Sequence, residues 1–139
     1  MKLQQVQLHF VEVIKMTHHV NWIQLEYLVN KIVENIPQGV SNVYGIPRGG
    51  LVAAVMISHI TGLPFSDSIS ESTLIVDDIY DTGETMEPYL KEGYHCATLF
   101  SKHNVDNLIV GKYLLHDDNW VVFPWENKQL IGNNIDVRI

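Results

Sequence analysis

Residues 74–85 read Leu-Ile-Val-Asp-Asp-Ile-Tyr-Asp-Thr-Gly-Glu-Thr: an apolar run, two adjacent acids, a third acid, then a Thr-Gly-x-Thr loop that opens a helix. Few folds can house that order. The β-branched stretch 73–76 is short enough to be a buried strand, which puts Asp77 and Asp78 at its carboxyl end, where open α/β sheets hold ligands. The loop 81–85 follows at once. Amides of a Gly-containing turn at a helix N-terminus, with Thr hydroxyls beside them, present donors and a positive dipole end to a phosphate dianion. Acids for sugar hydroxyls or a metal, set above amides for phosphate, make a ribose-phosphate site. An Asp-Asp pair alone reads equally well as a solvated turn, but the attached Thr-Gly-x-Thr and the Arg-Gly-Gly upstream argue against that.

The rest of the chain has the punctuation of a compact α/β unit, without linkers, repeats or low-complexity tracts. Leu25, Leu28, Val29, Ile32, Val33 and Ile36 follow helical spacing, with Asn21 as N-cap and Pro37 as stop. A strand over 42–46 leads into Pro47-Arg48-Gly49-Gly50, and the helix 50–61 is apolar nearly all round, as burial against a sheet requires. Gly62 can take the left-handed conformation that ends it. A third helix is predicted over 84–92, and strands over 96–101 and 120–123 complete a mostly parallel sheet. Residues 3–14 alternate loosely, and 1–16 read as an extra strand or arm.

With 139 residues and 46% hydrophobic content, residues 1–139 are expected to form one domain with a real core. Nine basic against 16 acidic residues give a net charge of −7, and no basic patch is large enough to follow a nucleic-acid backbone. Nucleic acid is therefore not an expected partner. Cys96 is the single cysteine, which excludes an internal disulfide and suits a reducing cytoplasm. No apolar run of membrane-spanning length and no signal-peptide start is seen, so a soluble cytoplasmic protein without a membrane partner is expected. His18-His19 lacks further ligands at metal spacing and reads as a strand end.

The stretch 74–85 resembles the phosphoribosyl diphosphate signature of the type I phosphoribosyltransferases. Two other segments agree. Residues 43–64 look like that family's first strand, pyrophosphate loop and following helix; residues 120–126, Trp-Val-Val-Phe-Pro-Trp-Glu, look like the base-binding segment of its xanthine-guanine and hypoxanthine members. The resemblance runs from about residue 17 to 127. It implies a Rossmann-like α/β fold, a mostly parallel sheet flanked by helices. It implies transfer of ribose 5-phosphate from phosphoribosyl diphosphate to a 6-oxopurine (guanine, xanthine or hypoxanthine), with release of pyrophosphate and with Mg2+ as cofactor.

By that resemblance, Asp77 and Asp78 hold the ribose and the magnesium, directly or through water. Asp81, Thr82, Gly83, Glu84 and Thr85 hold the 5′-phosphate, and Asp81 is also the catalytic acceptor of the base proton. Arg48 and Gly49 hold pyrophosphate, with a non-proline cis peptide expected between Pro47 and Arg48. Lys102 donates to the oxygen at purine position 6, Trp120 stacks on the base, and the backbone of Val121 reads its edge. The residue types suit the roles, since a Lys donor selects an oxo over an amino group and an aromatic face binds a purine. Phe123, Pro124 and Trp125 read as packing, and Asp117 and Asp118 as a polar turn.

One departure matters. Between Gly62 and Leu74 active relatives place a strand pair and a long mobile hood, and this chain has only 63–73, so the lid is expected to be largely missing. Closure excludes water from the reacting sugar. Two readings therefore stand side by side: a small 6-oxopurine phosphoribosyltransferase, covered by the 1–16 arm or by a second copy in a homodimer or larger homo-oligomer, and a non-catalytic phosphoribosyl diphosphate or nucleotide-binding regulatory protein on the same fold.

Overall fold

The computed structural model of the chain describes residues 17–115 and 119–126. The expected arm at 1–16 and the acids Asp117 and Asp118 lie outside the described residues. The chain divides into two compact units, Leu25–Asp117 and a smaller one joining Met1–Gln24 to Asp118–Ile139.

In the larger unit four parallel strands stand in the order β2 (Asn42–Gly45), β3 (Thr73–Tyr80), β4 (His95–Ser101) and β5 (Leu108–Tyr113). Register decides which face each side chain takes. Tyr44, Ile75, Cys96 and Leu108 are aligned across all four strands, and with Met86, Tyr89 and Leu90 they make one hydrophobic layer. Helix α3 (Glu87–Lys91) covers that face. The opposite row runs Gly45, Val76, Ala97, Ile109. Here α1 (Trp22–Glu34) and α2 (Leu51–Thr61) pack: a side-chain carbon at Gly45 would lie 2.9 Å from Ala54 Cβ, and one at Gly111 would lie 3.2 Å from Leu28 Cβ. Helices on both faces of a parallel sheet are the doubly covered α/β architecture that the sequence predicts.

The helix ends follow the sequence signals. Asn21 and Gln24 close a reciprocal capping box at the start of α1, Gln24 N–H to Asn21 Oδ1 at 2.7 Å and Asn21 N–H to Gln24 Oε1 at 2.9 Å. Gly62 has φ of 81° and its N–H donates to Ser58 O. The strand expected over 120–123 forms over 120–122 and does not complete the main sheet, because it pairs instead with residues 17–19 in a separate two-stranded sheet. Two boundaries also differ from expectation. β3 runs on through the acid pair to Tyr80, so Asp77 and Asp78 lie within the strand and not beyond it. The third helix winds only over Glu87–Lys91, not 84–92, because Pro88 has no N–H and its ring would strike the carbonyl four residues earlier in a helix begun at 84.

The short segment after Gly62 lies along the free edge of β2. Val43 N–H donates to Pro64 O and Ser66 N–H to Val43 O, which pairs Phe65 beside Val43. A serine-rich turn then closes on Thr73, with Ser70 N–H donating to Thr73 Oγ1 and Ser41 N–H to Ser72 O. No length is left for a hood. In the smaller unit, β1 (Thr17–His19) pairs in parallel with β6 (Trp120–Val122), Phe123 stacks on Trp125 with centroids 4.7 Å apart, and Asn119 Nδ2 lies 2.8 Å from His18 Nε2. Phe123 and Trp125 are packing, as expected.

One packing contact gives a test. Gly50 has an ordinary right-handed conformation, yet a Cβ there would meet the Val76 carbonyl oxygen and lie 2.9 Å from Asp77 Cα, both rigid strand backbone. Gly50→Ala is expected to destabilise the protein by about 1 to 3 kcal/mol in urea unfolding.

Candidate active site

Three loops leave the carboxyl ends of adjacent strands. After β2, Pro47–Gly50 turns tightly: the Pro47-Arg48 peptide is cis, Gly50 N–H donates to Ile46 O at 2.8 Å, and Ile46 N–H donates to Val76 O at 2.9 Å. That last bond ties the loop to β3. Arg48 is exposed at its tip. Gly49 lies directly under the Asp78 carboxylate, and any side chain at 49 would occupy the space of that carboxylate.

β3 carries the two acids. Asp77 is 8% exposed, and its Oδ1 accepts from Asp78 N–H at 2.9 Å, while Asp78 Oδ1 accepts from Ile79 N–H at 2.8 Å. Burial, and then the neighbouring Asp78 carboxylate, push Asp77 up to about 7. Two hard carboxylates form the only donor set here; among the described residues no group of three His, Cys, Asp or Glu comes together. Such a pair fits a cation that keeps its waters and takes further oxygens from substrate phosphates, as Mg2+ does, and not a caged zinc.

The loop 81–85 follows β3. Gly83 is buried with φ of 88°, a conformation other residues rarely take, and Asp81, Thr82, Glu84 and Thr85 around it are exposed. Glu84 N–H donates to Thr82 Oγ1 at 3.3 Å. Under the loop stands Tyr80, whose hydroxyl donates to Glu87 Oε2 at 2.7 Å; that bond, more than burial, pushes the phenol up to about 12 and keeps it a donor at neutral pH.

β4 supplies the third piece. Lys102 N–H donates to Tyr80 O at 2.9 Å, and Lys102 Nζ lies 3.9 Å from Asp81 Oδ2, the Lys102 side chain mostly buried and the Asp81 side chain mostly exposed. Arg48, Gly49, Asp77, Asp78, the 81–85 loop and Lys102 thus gather at one end of one sheet, the end at which parallel sheets bind ligands. Trp120 and Val121 belong to the smaller unit: Trp120 is 57% exposed and Val121 is buried opposite His18. Cys96 is a buried core residue whose thiol burial pushes up to about 12, no candidate nucleophile.

Over 144 aligned residues the chain is 28% identical to the xanthine-guanine phosphoribosyltransferase of Cereibacter sphaeroides (strain ATCC 17025 / ATH 2.4.3), across 78% of this chain and 86% of that one. A solved purine phosphoribosyltransferase from Pyrococcus horikoshii Ot3 superposes with a TM-score of 0.64 at 25% identity, across 81% of this chain and 95% of that one. In sequence and in fold the chain is similar to the type I phosphoribosyltransferases. The xanthine-guanine-hypoxanthine phosphoribosyltransferase of Helicobacter pylori shares the fold, with a TM-score of 0.60 at 21% identity over 81% of this chain and 95% of that one. No family model matches the chain.

The Tyr80–Glu87 contact was not legible in the sequence. Seven residues separate the partners, but one ends a strand and the other starts a helix, so no single periodicity links them.

Proposed function

We propose that this phosphoribosyltransferase moves the 5-phosphoribosyl group from phosphoribosyl diphosphate to a 6-oxopurine, and that residues 1–139 act as one functional domain. The observation that carries the reading is the 3.9 Å approach of Lys102 to Asp81, a donor and an acceptor side by side next to a phosphate-type loop. Lys102 offers only donors and would take the oxygen at purine position 6. Asp81 would accept the proton that the base nitrogen loses.

In the transfer, the base nitrogen forms a bond to the anomeric carbon while the bond from that carbon to pyrophosphate breaks, and pyrophosphate leaves with the electron pair. Amides and hydroxyls of 81–85 would hold the 5′-phosphate, Arg48 and the Gly49 backbone the departing pyrophosphate, and Asp77 and Asp78 the ribose hydroxyls and Mg2+. Bound magnesium supplies neutralisation of the pyrophosphate charge. Trp120 is assigned to stacking on the purine and the Val121 backbone to its edge. Cover for the open ribose end is assigned to a second copy of the chain, which makes the working form a homodimer or larger.

The test is to incubate the protein with magnesium, phosphoribosyl diphosphate and each of guanine, xanthine, hypoxanthine, adenine, orotate and uracil, following nucleotide and pyrophosphate. Oxopurines should turn over. Adenine presents an amino group, itself a donor, to the Lys102 donor and forfeits that hydrogen bond, about 1 to 3 kcal/mol, so it should bind about 5- to 150-fold more weakly. Adenine bound as tightly as guanine would remove the Lys102 role. Nucleotide binding without transfer to any base would instead make the protein a sensor on this fold.

A further inference from the structure

The 81–85 loop has little of the support that a long following helix would give. α3 has five residues, none of them fully buried, and a cavity of about 570 Å³ lined by Tyr80, Thr82, Glu87 and His103 borders the loop. Yet the loop is held at both ends of its glycine. The Tyr80 hydroxyl occupies the space where a Gly83 side chain would go, it donates to Glu87 Oε2 at 2.7 Å, and Glu87 N–H donates to Gly83 O at 2.9 Å. Tyr80 also reaches the third piece of the site. Its carbonyl accepts from Lys102 N–H, and its ring meets the edge of His103 at 6.2 Å and 80°, while His103 O accepts from Ser101 Oγ at 2.7 Å.

We propose that Tyr80 and Glu87 are a positioning pair that sets the curvature of the 81–85 loop, so that its amides face a 5′-phosphate before the ligand arrives. The inference rests on the phosphoribosyltransferase reading of that loop. Preorganised donors bind more tightly because ordering them is not charged to the binding step. Removing the hydroxyl frees Gly83 and the loop to sample other curvatures. The backbone bond from Lys102 to Tyr80 survives any side-chain change, so base recognition should not follow.

The experiment compares Tyr80→Phe, Glu87→Ala, Glu87→Gln and Tyr80→Phe/Glu87→Ala with wild type, all checked for native circular dichroism. Ribose 5-phosphate affinity is measured by calorimetry, and KM is measured separately for phosphoribosyl diphosphate and guanine. Tyr80→Phe and Glu87→Ala should each weaken ribose 5-phosphate, and raise KM for phosphoribosyl diphosphate, by about 5- to 30-fold. KM for guanine should stay within about twofold, since base recognition keeps its backbone bond and loses no donor. Glu87→Gln retains an acceptor and should restore most of the affinity, and the double variant should be no worse than either single one. Ribose 5-phosphate affinities within about twofold of wild type in both single variants would overturn the pairing while leaving the reading of the site intact, because one charge-assisted bond is worth more than that. Equal losses for guanine would also overturn it, as general softening of the fold. A wild type that neither binds ribose 5-phosphate nor transfers to any base would remove the reading of the site, and the pair with it.

Discussion

Asp81→Asn is expected to lower kcat by about two to four powers of ten while leaving phosphoribosyl diphosphate affinity within a few fold. The amide keeps the shape and one acceptor oxygen but cannot take a proton from the base. The loss has to be separated from the loss of the Lys102 contact. At 3.9 Å, with Asp81 58% exposed, that ion pair is worth less than about 1 kcal/mol, which accounts for at most a few fold. Steady-state kinetics with guanine and isothermal binding of phosphoribosyl diphosphate check both halves. Wild-type turnover in the variant would take the proton-accepting role away from Asp81.

Asp77→Asn should stabilise the protein at alkaline pH even as it damages the site. The Asp77 carboxyl has its ordinary value of 3.8 in the unfolded chain and about 7 in the folded one, raised first by burial and next by Asp78. The folded state therefore holds the proton more tightly. The stabilising contribution is complete below pH 4 and is lost as the pH rises through 7, because above that the folded chain must carry a buried charge. Over that interval the loss is on the order of a few kcal/mol. Asparagine stays neutral, so variant and wild type should be equally stable near pH 4 and diverge in favour of the variant towards pH 8.5. Urea unfolding of chelator-treated protein across that range makes the comparison, and histidine titrations common to both proteins cancel in the difference. Parallel stability curves would mean that Asp77 is not held as described. A residue that destabilises its own fold at neutral pH is what a site for cations and sugar hydroxyls, unlike a core, can tolerate.

How much of this was legible in the sequence depends on which signal each residue carried. The acid pair, the Thr-Gly-x-Thr loop and the Arg-Gly-Gly loop are local patterns with their own mechanism, and the chain folds around them as expected. Lys102 could be placed beside Asp81 only through the family resemblance, since their contact is made by strand order, which spacing does not encode. The length of α3 was available in the sequence, since Pro88 forbids a helix begun at 84. β5 was missed for another reason. Its Leu-Ile-Val-Gly-Lys-Tyr carries a central glycine that reads as a break, while in the fold Gly111 leaves room for Leu28 and for the Leu99 carbonyl, 2.6 Å from where a Cβ would stand. The Tyr80–Glu87 contact had no signal at all.

The segment that replaces the hood has a second consequence, in solubility. β2 is the outermost strand on its side of the four-stranded sheet, and an uncovered parallel edge offers donors and acceptors to any other extended chain. Pro64 and Ser66 take up the outward N–H and C=O of Val43, and the proline between Leu63 and Phe65 gives nothing back for a further strand to pair with. The stretch from Gly62 to Thr73 thus works as an edge guard. A hood grafted into it would have to keep the Pro64 and Ser66 bonds in register, or the sheet would gain a lid and lose its protection against growing into its neighbours.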